Sequence, residues 1–333
     1  MGKSLSNDER LSILQWCKSF RPNQINLDEN KLSISQIIDA HKPWLINYAS
    51  AGQIASATAR PFKEKDALRS LLFPVRIKIE KTMARSLRPI INSNLDQLRS
   101  LYKGKFFGCS KKQGVSLRLG LMTCEPTPIC GAKCYAHDAL DATPAAVVRG
   151  VLNTILIELW CKERSNLVLS NFIDMEIESA AKAAHQDAKN SPFERKPRVR
   201  LSHVGEAAAY PEFVNYVAGK LDSYPNGSVK CVIYTRHSNA RYLDTKQVVV
   251  NFSLDDSSKH KLNWLGNTVR YVSSSFDGVL MNEVSVNFLE HHNRAHVKPI
   301  GTGFMCPVTT EGEARSCDAA KCDLCFKDPN SIS

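Results

Sequence analysis

The stretch Val199–Thr235, VRLSHVGEAAAYPEFVNYVAGKLDSYPNGSVKCVIYT, decides the fold class. Val199–Val204 alternates apolar residues with Arg200 and His203 and reads as a strand. Pro211 opens a helix that reaches Leu221, and Lys230–Thr235 is a second apolar strand. A strand, a helix and a strand in succession form a parallel crossover.

Working outward, the same alternation continues. Val248–Leu254, Asn267–Ser273 and Val284–Phe288 read as further strands. Upstream, Pro144 opens an amphipathic helix over 144–164, and Phe172–His185 is another, rich in alanine. Residues 115–123 read as a strand with Leu117, Leu119 and Leu121 on its apolar positions, preceded by a short strand over Lys105–Ser110. The expected fold class is α/β, a partial (β/α)6-type barrel or an open parallel sheet. Residues 1–105 read as a helical extension. The Ser6-Asn7-Asp8-Glu9 start signal precedes a first helix, and Ser33–His41 begins a second. Asp66–Phe73 and Val75–Leu87 are two more helices separated by Pro74; Pro89 interrupts, and Asn94–Tyr102 is a short fifth. Three domains are expected: the helical segment 1–105, the α/β segment 106–300, and a cysteine-rich tail 301–333.

With 43% hydrophobic and 23% charged residues in 333, the composition is that of a globular chain. No run approaches the ~20 apolar residues of a membrane helix, so no membrane contact is expected. The chain opens Met-Gly-Lys-Ser without an apolar leader, which predicts a cytoplasmic location and reduced thiols. The formal charge is +11, and Arg60–Arg118 carries all of it, with fifteen Lys and Arg against Glu64, Asp66, Glu80 and Asp96. Such a block is either a solvated helix face or a surface for a polyanion such as nucleic acid.

The 11 cysteines are clustered. Cys124-x5-Cys130-x3-Cys134 lies in a loop broken by Pro126, Pro128 and Gly131, a poor place for core thiols. Three thiols at this spacing can face one point as ligands of an iron–sulfur cluster or of zinc. Cys306-x10-Cys317-x4-Cys322-x2-Cys325 supplies four more, enough for a closed zinc site or a fully ligated cluster. So short a tail cannot build its own core, so the metal would fold it. Cys17, Cys109, Cys161 and Cys231 are scattered and read as structural. His292 and His296, His137, His203 and Asp255-Asp256 are weaker candidates, each equally consistent with a solvated or buried structural role.

On the strand frame, the cysteine loop follows one strand, Gly205-Glu206 the next, then Arg236-His237, Asp255-Asp256 and Asp277. All five motifs fall at strand carboxyl ends, where parallel α/β sheets place their sites. Glu206 is also a residue that a helix start favours on dipole grounds alone.

Cys124, Cys130, Cys134-Tyr-Ala136, then Arg200–Glu206, Tyr234-Thr-Arg236, Phe252–Asp255, Cys306-Pro307 and Cys322-x2-Cys325-Phe326 follow one another in the order seen in the phage gene-product-88-like family. This resemblance covers about residues 105–327. More remotely, the layout is similar to that of the radical S-adenosylmethionine (SAM) enzymes. There a three-cysteine loop after the first barrel strand holds a [4Fe–4S] cluster, and a Gly-Glu pair after the second binds the amino group of SAM. The resemblance thus implies one or two clusters, SAM as a cofactor, and Gly205 and Glu206 as its contacts. The cysteine spacing here is five and three residues rather than three and two. The contrasting reading is a non-catalytic protein, stapled by metal, that binds nucleic acid through the basic 60–118 segment.

Overall fold

A computed structural model describes residues 6–22, 33–57, 62–97, 106–110, 114–132, 134–137, 141–191, 193–275, 281–289 and 325. The chain forms two compact units, each discontinuous in sequence. Met1–Gly104 and Leu119–Phe172 make the first; Lys105–Arg118 and Ile173–Ser333 make the second.

The first unit is helical: α1 Asn7–Ser19, α2 Ile34–Ala57, α3 Phe62–Ser93, the short α4 Pro128–Ala132 and α5 Pro144–Lys162. The start signal read at Ser6 is a capping box: the Ser6 side chain accepts from Glu9 N–H and the Glu9 side chain accepts from Ser6 N–H. Against the expectation of two helices divided at Pro74 and interrupted at Pro89, α3 runs through both prolines, and α2 runs through Pro43. All three prolines are exposed. The residue four before each, Asp39, Ser70 and Arg85, is exposed as well, so each carbonyl that loses its amide partner to a proline ring belongs to the solvent side of the helix. The opposite face holds the helix together. Leu68, Leu72, Val75, Ile79, Met83 and Leu87 recur at spacings of three and four and are all buried. Helix α5 is long and apolar enough to match a membrane span, but more than half of it is buried in the protein, as in a core helix.

Helix α6 (Leu167–Lys189) contains the last crossing of the chain between the units, and α7 (Pro211–Asp222) belongs to the second. Among the described residues the second unit carries a sheet of seven strands. They are β1 Phe107–Ser110, β2 Gly114–Arg118, β3 Arg198–Val204, β4 Lys230–Thr235, β5 Val248–Leu254, β6 Arg270–Ser275 and β7 Val286–Leu289. They lie side by side in sequence order. Strand β1 is antiparallel to β2, with Phe107 opposite Leu117; every other pair is parallel. All seven residues of β5 are buried, the mark of a strand covered on both faces. Helix α7 packs on β4 and β5 through Phe213, Val214, Val217 and Leu221. The fold is therefore α/β with a mostly parallel sheet. Two connections depart from a strict alternation with α-helices. From β4 to β5 the chain makes a 3-10 turn at Ser238–Tyr242, and from β5 to β6 two more at Lys259–Lys261 and Gly266–Thr268.

The strand expected over 115–123 stops at Arg118. Beyond it, backbone amides are taken by side chains: Gly120 N–H donates to Thr154 Oγ1 at 3.0 Å and Met122 N–H to Glu80 Oε2 at 2.9 Å. The segment Leu121–Thr123 winds into a 3-10 turn. This seating needs a glycine on α5: a Cβ at Gly150 would stand 2.8 Å from the Leu119 carbonyl oxygen and 3.1 Å from Gly120 N. Because both contacts are backbone, Gly150→Ala is expected to lower stability by about 1–3 kcal/mol, read as a lower urea midpoint at unchanged slope.

Candidate functional site

The cysteine loop is fastened at both ends by one buried ion pair on α3. Arg76 Nε donates to Glu80 Oε1 at 2.6 Å, and both side chains are sealed from solvent. Glu80 uses its other oxygen on Met122 N–H, just before Cys124. Arg76 uses Nη1 on the carbonyls of Ala136 and Asp141, at 3.0 and 3.1 Å, just after Cys134. The same nitrogen reaches the Tyr48 hydroxyl of α2 at 3.2 Å. Inside the loop, Thr127 caps α4: Cys130 N–H donates to its Oγ1 at 3.0 Å and Gly131 N–H to its carbonyl at 2.9 Å. Helix spacing explains the pair, since residues four apart on a helix face each other.

Burial pushes the Cys134 thiol up to about 12; the neighbouring Cys130 adds to the rise, while Arg76 and Arg69 pull against it. Burial likewise raises Glu80, against the charge and hydrogen bonds of Arg76. His137 is held well below its usual range by burial and then by Arg76 and Arg69, so its ring is neutral. The His137 Nδ1 lies 2.5 Å from the Tyr48 hydroxyl. Two polar atoms of this cluster, Nε2 of His137 and Nη2 of Arg76, are buried with no hydrogen-bond partner among the described residues. The Cys134 thiol, with Cys130 near it, thus lies within electrostatic reach of two buried guanidiniums, a setting that favours negative charge on sulfur.

Cys124, Cys130 and Cys134 are each partly buried, and none of the eight described cysteines is in a disulfide. Cys130 and Cys134 are close enough to repel as thiolates. Among the described residues, however, no three His, Cys, Asp or Glu side chains are assembled as a metal-holding group. Of the tail set, Cys325 is described, and its carbonyl accepts from Asn251 Nδ2 of β5 at 3.0 Å. Cys306, Cys317 and Cys322, together with Asp277, His292 and His296, lie outside the described residues.

In the second unit, three of the strand-end motifs do meet. Gly205 ends β3 with φ of +76°, a conformation that favours glycine, and turns the chain into Glu206. Glu206 is 8% exposed; its Oε1 accepts from Ala208 N–H and its Oε2 from Arg236 N–H, both at 3.4 Å. Arg236 Nε stands 3.7 Å from Asp255 Oδ2, and Asp255 is fixed by Ser257 and Ser258. His237 is used locally: its Nδ1 accepts from Asn239 N–H at 3.0 Å, capping the turn that follows β4. Thus Glu206, Arg236 and Asp255 form one cluster of ionisable groups at the carboxyl ends of β3, β4 and β5, with both carboxyls buried and Arg236 half-buried. The cysteine loop belongs to the other unit.

Sequence reasoning missed Tyr48, Arg69, Arg76 and Glu80 by assigning the arginines to a basic surface. Arg69 and Arg76 are fully buried. The signal was present: positions 69, 76 and 80 fall on the same face of α3 as Leu72, Ile79 and Met83. The chain matches no family model, no curated protein and no solved structure.

Three outcomes are expected. Arg76→Met should cost about 3–5 kcal/mol in urea unfolding, since it leaves the buried Glu80 charge alone. The double variant Arg76→Met/Glu80→Leu should cost less than the sum of the single changes. Burial lifts Glu206 to about 7, with hydrogen bonds from Thr235, Ala208 and Arg236 opposing the rise. Its folded form thus holds a proton that the unfolded chain releases near the ordinary glutamate range. The stability it contributes is complete below that range and is lost as pH climbs through about 7. Glu206→Gln should flatten the fall in stability across this window, by up to about 3 kcal/mol in pH-dependent urea titrations.

Proposed function

We propose that the chain is an iron–sulfur protein whose Cys124, Cys130 and Cys134 hold a [4Fe–4S] cluster, and that it is an enzyme similar in kind to the radical SAM enzymes. The observation that carries this reading is the cysteine loop itself: Cys134 lies within electrostatic reach of Cys130, Arg69 and Arg76, and Arg76 and Glu80 fasten the backbone on either side. Three thiolates leave one iron of such a cluster open to an outside ligand. Bound there, the cluster would supply a single electron. The remaining work falls to the chain. Arg76 and Glu80 would hold the loop backbone in place, and the buried arginines would offset the charge of the thiolates.

Gly205 and Glu206 are the residues proposed to meet the amine of SAM. A buried carboxylate raised to about 7 gains most from a cationic partner, which favours its ionised form. Arg236 and Asp255 would keep that carboxylate oriented. The sequential order of parallel strands supports the finer reading of a partial (β/α)6-type barrel, because crossovers of one hand along one direction all return over the same face. Cys306, Cys317, Cys322 and Cys325 are proposed as a second site, for an auxiliary cluster or zinc.

A second reading, nucleic-acid binding through the basic segment, draws on one observation. Lys78, Lys81 and Arg85 are exposed along one side of α3. With Arg69 and Arg76 buried, the surface available is narrower than the sequence suggests.

Anaerobically purified protein is expected to be brown, with iron and acid-labile sulfide. The triple variant Cys124→Ala/Cys130→Ala/Cys134→Ala should lose the iron and sulfide of one cluster. Colourless protein carrying only zinc, or sulfide unchanged in the triple variant, would sink the first reading. For the second, neutralising Lys78, Lys81 and Arg85 should reduce the slope of log affinity against log salt for a DNA or RNA duplex; an unchanged slope removes it.

A further inference from the structure

Every charged residue within the seven described strands is a cation: Arg118, Arg198, Arg200, Lys230 and Arg270. The register puts all of them on one face. Ser116 lies opposite Arg200, Arg198 opposite Lys230, Tyr234 opposite Asn251 and Asn251 opposite Arg270, while side chains alternate between faces along each strand. The other face is apolar and buried, through Leu117, Leu201, Ile233, Val250 and Leu254. A parallel sheet packed on both faces reads as apolar on both. This one gives a face to like charge, and Arg198 and Lys230 stand directly opposite each other, a placement that costs stability.

Three arginines gather toward the carboxyl end of the cationic face. Arg118 ends β2, Arg200 lies in β3 and Arg236 follows β4, and all three are half-buried. The Arg200 guanidinium lies 4.5 Å from the Tyr234 ring centroid, and its Nε donates to the Ser202 carbonyl at 2.9 Å. Both contacts turn it toward the strand end. Among the described residues its two terminal nitrogens make no hydrogen bond. The ladders loosen at the same level. Ser116–Arg118 of β2 spans Arg200–Val204 of β3, and past Arg200 the Tyr234 N–H donates to Ser202 Oγ at 2.9 Å. Such irregularities re-aim side chains beside sites. Two acids are near, and both are engaged. Asp255 is held by Ser257 and Ser258 and stands 3.7 Å from Arg236; Glu206 accepts from the amides of Ala208 and Arg236.

We propose that Arg118, Arg200 and Arg236 bind the phosphoryl group of a phosphate ester, either a free nucleotide or a nucleic-acid strand. The inference rests on the strand-end site proposed above, names its substrate class, and needs nothing of the cysteine loop. A carboxylate is planar and offers two oxygens. A phosphoryl group presents three in different directions, so guanidinium forks from three neighbouring strands can share it. A face lined by one sign of charge also concentrates anions around it.

The test is calorimetric titration of the full chain at fixed ionic strength with inorganic pyrophosphate, a nucleoside triphosphate and a single-stranded oligothymidylate. At least one should bind. Citrate, a carboxylate of similar charge to pyrophosphate, should bind about tenfold more weakly than the best of them. Arg200→Gln should weaken that binding about tenfold at an unchanged urea midpoint, and Arg200→Lys should fall between, since it keeps the charge and loses the fork. Arg118→Gln should weaken it as well. Neutralising Lys78, Lys81 and Arg85 on α3 should leave it unchanged. Tight binding of pyrophosphate or the triphosphate assigns a free nucleotide; binding of the oligothymidylate alone assigns a strand. Folded wild type that binds none of the three overturns the inference, as does Arg200→Gln with wild-type affinity or citrate bound as tightly as the phosphates. Iron and sulfide analysis of the same samples reads the cluster separately. Binding by protein without iron and sulfide keeps this inference and removes the iron–sulfur reading; iron–sulfur protein that binds none of the phosphates does the reverse.

Discussion

A single buried ion pair organises the first unit. Taking Arg76 and Glu80 out of water is costly, and their mutual attraction alone recovers little of it. What helps make the pair tenable is that part of its remaining hydrogen-bonding capacity is spent on backbone: Glu80 on the amide of Met122, Arg76 on the carbonyls of Ala136 and Asp141. A loop with two prolines and a glycine has no ladder of its own, so its polar backbone groups must find partners elsewhere. Here they find them on a helix. Helix and loop are thereby interdependent, since each satisfies groups that the other leaves open.

The second unit solves a related problem by another route. Parallel strands end in a row of backbone groups, and acidic and basic side chains at the ends of β3, β4 and β5 neutralise one another there. The left-handed Gly205 gives the chain the sharp exit that brings Glu206 back over the neighbouring strand. The outcome is a buried carboxylate held by hydrogen bonds from Thr235, Ala208 and Arg236.

Most of the sheet was legible in the chain. Apolar runs bounded by turn residues marked each parallel strand, and β4 and β5 matched their expected limits, Lys230–Thr235 and Val248–Leu254. The misreadings share one cause. Proline at positions 74 and 89 reads as a helix breaker in the sequence, but its effect depends on which face it occupies, and that is a tertiary property. Strand β2 reads longer in the sequence than it is because apolar residues continue past Arg118, while the amides of Gly120 and Met122 are claimed by Thr154 and Glu80, distant in the chain. The same blindness hid the buried arginines. Net charge counts residues and does not see which of them face inward. At the candidate site, the meeting of Glu206, Arg236 and Asp255 followed from strand polarity alone; the partners of the cysteine loop did not, because they come from helices read as an extension.

The interleaving of the two units has a consequence for how the chain is made. Strands β1 and β2 leave the ribosome before the loop and α5, yet β2 lacks its parallel partner until β3 has been synthesised, some eighty residues later. The residues of the helical unit end at Phe172. During synthesis the thiol-bearing loop can thus be seated while the sheet is still a lone hairpin, so any inorganic group it takes up would be received by a half-finished polypeptide.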